Sequence, residues 1–171
     1  MIVERIEESM PGAVLGHNRF RGDLTVEVSP EGYPDVVKFI FGEGYQLMID
    51  LTAVDWLGRP DRKERFDLVV HFQNLVSQER LRVKVKLDDG QAIASITGIH
   101  KTADWFEREV FDMFGIHFEG HPNLKRLMMW DDFEGHPLRK DFPLYGGDPW
   151  CGSGMGAPFP TAGGGRKGAG S

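Results

Sequence analysis

The sequence predicts an α+β fold: a two-layer domain with one mixed β-sheet and packed helices, followed by an extended C-terminal arm. Three observations carry this. Residues 65–72 and 80–87 alternate apolar and polar side chains with period two, as strands do with one face on a core and one in water. Thr102 reads as the cap of a helix running to about Phe114, with Gly115 placed for a left-handed terminator. Beyond it, Gly115, Gly120, Pro122, Gly135, Pro137 and Pro143 forbid a continuing helix or an unbroken strand.

Taken in order, residues 2–9 are assigned a short helix. Leu24, Val26 and Val28 alternate with Thr25 and Glu27, a half-buried strand paired with residues 13–19. Ser29–Pro30 opens a turn, and a brief helix fits Pro34 to Phe41, ended by Gly42 and Gly44. Gln46 to Val54 is strand-like, with Leu47, Ile49, Leu51 and Ala53 assigned to one face. In the next strand Phe66, Leu68, Val70 and Phe72 face the core. In the one after, Leu81, Val83, Val85 and Leu87 do so, and its basic face is read as solvated. Asp88-Asp89-Gly90 is a turn. The expected order is α-ββ-α-βββ-α, then the arm. The expected units are a globular domain over 1–115, a partner-binding arm over 116–146 and a Gly-rich tail over 147–171. Nine glycines and three prolines in that tail predict disorder.

Composition narrows the function. With 171 residues, 40% of them hydrophobic and 27% charged, the chain suffices for one core with appendages. A net charge of −6 argues against nucleic acid as a partner. Cys151 is the only cysteine, so no disulfide framework, Fe–S ligand set or CxxC pair is expected. No apolar run reaches bilayer length, and the acidic stretch MIVERIEESM is not read as a secretory leader. A soluble, cytoplasmic chain is expected.

Motifs for chemistry are sparse. His117 and His121 stand at H-x3-H spacing near Asp112, His136, Asp131 and Asp132, but the cysteine half of a zinc finger is missing and Gly115, Gly120 and Pro122 interrupt any helix. A metal-dependent hydrolase using His117, His121 and Asp131 is therefore a remote alternative. No P-loop, GxGxxG or GxSxG is present, so no catalytic, cofactor or metal residue is expected in this chain. Glu107, Glu109 and Asp112 share a helix with Arg108, and read as an ion-paired face or an anchor for the arm.

The arm itself is too apolar for a linker. Aromatic, Met and Arg residues, the types enriched at interfaces, are frequent in it. The residues expected to bind a partner include Trp105, Glu107, Arg108, Glu109 and Asp112 on the helix. His121, Pro122, Leu124, Arg126 and Trp130 continue the set into the arm. His136, Pro137, Leu138, Arg139, Lys140, Asp141, Phe142 and Pro143 complete it. Arg139, held between two prolines, is expected to make a planar contact on that partner, with little effect on the isolated domain when replaced. A chain ending near Phe118 is expected to keep its fold.

Three ordered strings carry a family likeness: EREVFDMFGI (107–116), GHPNLKR (120–126) and GHPLRKDFP (135–143). Together they resemble the 30 kDa subunit of bacterial respiratory complex I, an NADH–quinone oxidoreductase. Asp104, Lys125, Trp130 and Phe133 depart from that pattern. The resemblance implies a non-redox subunit of the peripheral part of a membrane-bound complex, on the cytoplasmic face of the membrane and attached to it indirectly. It implies as partners the large subunit of the quinone site and the subunit holding the terminal Fe–S cluster. FMN, Fe–S clusters and quinone would all lie in partner subunits, and the complex would couple electron transfer from NADH to proton translocation. The equivalent subunit of a membrane-bound [NiFe] hydrogenase, or of another complex I-like oxidoreductase, is the alternative.

Overall fold

A computed structural model describes residues 2–143. Helix α1 (Ile2–Ser9) precedes the hairpin β1 (Val14–Phe20) and β2 (Asp23–Val28), then α2 (Tyr33–Gly42). Strands β3 (Leu47–Asp55), β4 (Phe66–Gln73) and β5 (Arg80–Leu87) follow. A two-residue strand β6 (Ile93–Ala94), helix α3 (Ala103–Phe114) and a two-residue strand β7 (Phe118–Glu119) complete the order. The five-stranded sheet runs β1-β2-β5-β4-β3. Within it only β2 and β5 are parallel neighbours. The sheet is therefore mixed, and the α+β expectation holds.

One face of that sheet is apolar and lies under the helices. Val26, Val28, Leu68, Val70, Val83 and Val85 share a single core with Ile6, Val36, Val37, Ile40 and Val110. The opposite face carries the alternating polar residues, tied into ion pairs such as Lys86–Glu27 at 2.6 Å and Arg62–Asp67 at 2.5 Å. Each apolar side chain removed from water contributes on the order of 1.5–3 kcal/mol, so this burial sets the strand register.

Three expectations are corrected. Leu47 and Ile49 do not join Leu51 and Ala53 on the core face; both are exposed, and Met48 is buried instead. A register shift between Met48 and Asp50 is the cause, because a bulge adds one residue and reverses the alternation on its far side. Thr102 makes no side-chain cap bond. Helix α3 instead continues from the hydrogen-bonded turns Ile99 N–H to Ile96 O and Ala103 N–H to His100 O. Gly115, by contrast, ends α3 at φ 78°, as expected.

The third correction concerns the boundary at 115/116, which does not separate two bodies. Ile116 and Phe118 are buried in the core, and Phe133 is only 7% exposed. Strand β7 pairs in parallel with β6, Ile93 opposite Phe118. The irregular segment that follows lies on its own domain. The composition that marked it as a binding arm, apolar residues with arginines between breakers, serves intramolecular packing equally well. The tail over 147–171 and Cys151 lie outside the described residues.

Candidate functional site

Asp112 is the point at which α3 holds the arm. It sits near the helix C-terminus and is fully buried. One carboxylate oxygen accepts the Arg126 guanidinium at 2.6 Å. The other accepts three successive backbone N–H groups, from Leu127 at 3.0 Å, Met128 at 2.7 Å and Met129 at 2.8 Å. Such a run of amides makes a concave anion cradle. Burial alone would raise the Asp112 pKa, but the amides and Arg126 outweigh it and hold the carboxyl below its usual range. Arg126 also donates to the carbonyls of Phe133 at 2.7 Å and Gly135 at 3.1 Å, closing the loop between them. Arg108 supports the same stretch from outside, donating at 3.2 Å to the Lys125 and Arg126 carbonyls.

The C-terminus of α3 is covered by the next part of the arm. His136 lies 2.9 Å through Nδ1 from the Asp112 carbonyl, and Leu138 donates its N–H to Met113 O at 3.0 Å. Any side chain at Gly115 would meet the His136 ring, since a Cβ there falls 2.7 Å from it. Here the glycine is required twice, by its backbone angle and by this close approach.

A second clasp fixes the end of the arm to the sheet. Asp55, buried at the end of β3, accepts Arg65 through both oxygens, at 3.2 and 3.0 Å, and the Lys140 N–H at 2.8 Å. Arg65 reaches on to Asp89 and Asp141, each at 2.7 Å. Its hydrogen bond holds the Asp141 carboxyl down at about 2. Arg139 donates to both oxygens of Asp89, at 2.8 and 2.7 Å, and stacks over Phe66. The expected placement of Arg139 on a partner is thus corrected: its guanidinium is engaged within the chain. Asp55, Arg65 and Asp89 were missed as arm-holding residues. An aspartate at an inward position of an apolar strand was the available signal.

Glu107 is buried more deeply still and faces away from the arm. One oxygen accepts the Ile96 N–H at 2.8 Å, while the other finds no partner among the described residues, nor does the Tyr33 hydroxyl. Burial pushes the Glu107 pKa up to about 7, against the opposite pull of Ser95 and Ile96. Burial, and then the charge of Glu107, raise Tyr33 well above its ordinary value.

The remaining expected residues divide by direction. Phe142 stacks on Phe133 at 5.8 Å, and Leu124 packs on the core. Pro137 is half-buried. His121 sits with Nε2 3.1 Å from Asp104 and accepts the Asn123 N–H through Nδ1. Glu109, Pro122, the Lys140 side chain and Pro143 are exposed. Trp105 is 59% exposed, Met128 61%, Leu138 54% and Trp130 40%. No group of three His, Cys, Asp or Glu residues is placed to hold a metal among the described residues. His117 is exposed at the edge of Phe111 and stands apart from any such set. No described helix is long and apolar enough to cross a membrane.

Comparison with known proteins gives this geometry a lineage. The profile of the family "Respiratory-chain NADH dehydrogenase, 30 Kd subunit" matches residues 26–148. The chain is 45% identical over 148 residues to the corresponding NADH-quinone oxidoreductase subunit of Rhodobacter capsulatus, covering 85% of this chain and 73% of that one. It is 43% identical to the same subunit of the Citrifermentans bemidjiense enzyme, covering 85% and 90%. Among solved structures, a trypsin-resistant fragment (1–134) of Nqo5 superposes with a TM-score of 0.64 at 30% identity, covering 72% of this chain and all of the fragment. A chain of an archaeal respiratory membrane complex, the membrane-bound sulfane sulfur reductase, superposes with a TM-score of 0.70 at 31% identity, covering 84% of each. The chain belongs to the 30 kDa subunit family of the respiratory-chain NADH dehydrogenase.

Proposed function

We propose that the chain is a non-redox docking subunit of a membrane-associated NADH–quinone oxidoreductase. In this reading it carries no cofactor of its own, and electrons pass from NADH through flavin and Fe–S clusters to quinone in neighbouring subunits. The observation that carries the docking role is the two-sidedness of the arm. Its inward groups, Arg126, Phe133, His136 and Arg139, are engaged with the domain. Its outward groups, Met128, Trp130 and Leu138, together with Trp105 on α3, leave large apolar surface in water. Aromatic and Met side chains on a backbone already fixed by hydrogen bonds lose little entropy on docking. The partners proposed are the large subunit of the quinone site and the subunit holding the terminal cluster, on the cytoplasmic face of the membrane.

Higher identity to NADH-quinone oxidoreductase subunits than to the sulfane sulfur reductase chain supports NADH as the donor. The test is affinity capture of the tagged full chain from detergent-solubilised membranes, with mass spectrometry of what comes with it. Co-purification of flavin-bearing and quinone-site subunits, with NADH:quinone activity, is expected. Capture with hydrogenase-type subunits, or of the chain alone, contradicts the reading.

A further inference from the structure

At one end of the sheet, away from both clasps, the β1–β2 hairpin and the β4–β5 turn enclose a cleft of about 600 Å³. Arg19, Arg21 and Arg80 line it, with Tyr45 and Ile2 forming part of its wall. Elsewhere in the chain, arginines find acids: Arg5, Arg59, Arg62, Arg65, Arg126 and Arg139 each pair with a carboxylate. Among the described residues, none of the three cleft guanidinium groups has such a partner. In a chain of net charge −6, three unpaired arginines around one cleft make a local concentration of positive charge.

The walls are held in place. Asn74 Oδ1 accepts the N–H groups of Val76 at 2.9 Å and Ser77 at 3.1 Å, and Gln78 Nε2 donates to Leu75 O at 2.7 Å. Arg21 and Gln78, at the two turns, both adopt positive φ, 53° and 61°. Non-glycine residues rarely take that conformation without surrounding constraint, and such sites cluster where ligands are held. Of the two acids at the cleft, Glu79 already accepts the Tyr45 hydroxyl at 3.3 Å, which leaves Asp23.

We propose that this cleft is a binding site for a phosphate group carried by a small molecule or a lipid headgroup. Guanidinium forks match the oxygens of a tetrahedral dianion, and more than one positive charge is needed to offset it. A monocarboxylate would leave most of the donors unused. The volume is that of ordinary small-ligand sites, and the Ile2 and Tyr45 wall can accept an organic body beyond the phosphate. The site is separate from the arm, so it stands whether or not the docking reading does.

The test uses the isotopically labelled full chain, titrated with inorganic phosphate and with chloride at matched ionic strength and followed by amide NMR. Saturable phosphate-specific shifts are expected at residues 19–24 and 78–80. The double variant Arg19→Gln/Arg80→Gln should weaken them at least tenfold at an unchanged melting temperature, and Arg59→Gln should leave them intact. Flotation with phosphatidylglycerol vesicles against phosphatidylcholine vesicles separates the sources. Binding to the anionic vesicles that the double variant loses assigns a headgroup, and phosphate binding without it assigns a soluble ligand. Phosphate shifts no larger than those from chloride, or spread over every basic residue, overturn the proposal in the wild type alone. Vesicle binding that survives the double substitution overturns the headgroup source.

Discussion

Arg126 and Asp112, fourteen residues apart, form a buried ion pair at 2.6 Å that joins the arm to the last turn of α3. The Asp112 side chain is fully buried and that of Arg126 is 17% exposed. Removing one member of such a pair leaves an uncompensated charge away from water. Arg126→Ala is therefore expected to cost about 2–4 kcal/mol, the three amide donors to Asp112 moderating the loss. Asp112→Asn should cost a similar amount, because an amide oxygen cannot accept all four bonds. For a domain of this size either change lowers the melting temperature by roughly 10 °C, measurable by calorimetry. An unchanged melting temperature for both would mean the arm is not part of the folded unit.

Truncation examines the same relationship without a substitution. A chain ending after Phe118 loses Arg126, the three amides and Phe133, and strands Asp112 in an apolar site. It is expected to be expanded, or to unfold at far lower denaturant than the full chain. A sharp unfolding transition at an unaltered midpoint would show that the arm only rests on the domain.

The clasps are acid-sensitive in a defined direction. Asp55 and Asp112 are both held below the usual aspartate value of 3.8 despite burial. A depressed folded pKa adds stability that is complete above the unfolded value and is lost as pH falls through the folded one. Unfolding free energy should thus drop below about pH 4. In the Asp55→Asn and Asp112→Asn variants that drop should be shallower, as read from denaturant titrations between pH 2 and 5.

Glu107 acts with the opposite sign. Its folded pKa of about 7 lies above the usual 4.5, so the native state binds the proton more tightly than the unfolded chain. Its contribution is complete below about 4.5, declines as pH rises to 7, and is flat beyond. The decline is on the order of 2–3 kcal/mol. Glu107→Gln, which mimics the neutral acid and keeps an acceptor for the Ile96 N–H, should abolish this slope. Persistence of the slope in that variant would assign it to another group.

Local patterns made the fold legible. Strands β4 and β5 announce themselves by strict alternation, and Gly115 marks the end of α3 by a backbone angle that other residues avoid. Register within β3 was not legible, because the bulge between Met48 and Asp50 leaves no mark in the alternation of Leu47, Ile49 and Leu51. The arm was recognised as structured, but its direction could not be read. Arg126 bonded to Asp112 and Arg139 bonded to Asp89 are long-range pairings, 14 and 50 residues apart, and arginine composition is the same whether the acid lies in the chain or on a partner. The docking side was legible only in part: Trp105, Trp130 and Leu138 were named for it, Met128 was not, and half of those named turn inward.

Outward and inward residues of the arm make the decisive contrast, best read by native gel electrophoresis of solubilised membranes alongside melting of the purified chain. The double variant Trp130→Ser/Leu138→Ser changes two exposed side chains that the domain does not need. Its melting temperature should stay within about 2 °C of the wild type, since surface changes away from buried features fall within about 0.5 kcal/mol. The assembled complex and its NADH:quinone activity should fall together, severalfold or more. Full assembly and full activity in that variant would contradict a docking role for the outer side of the arm.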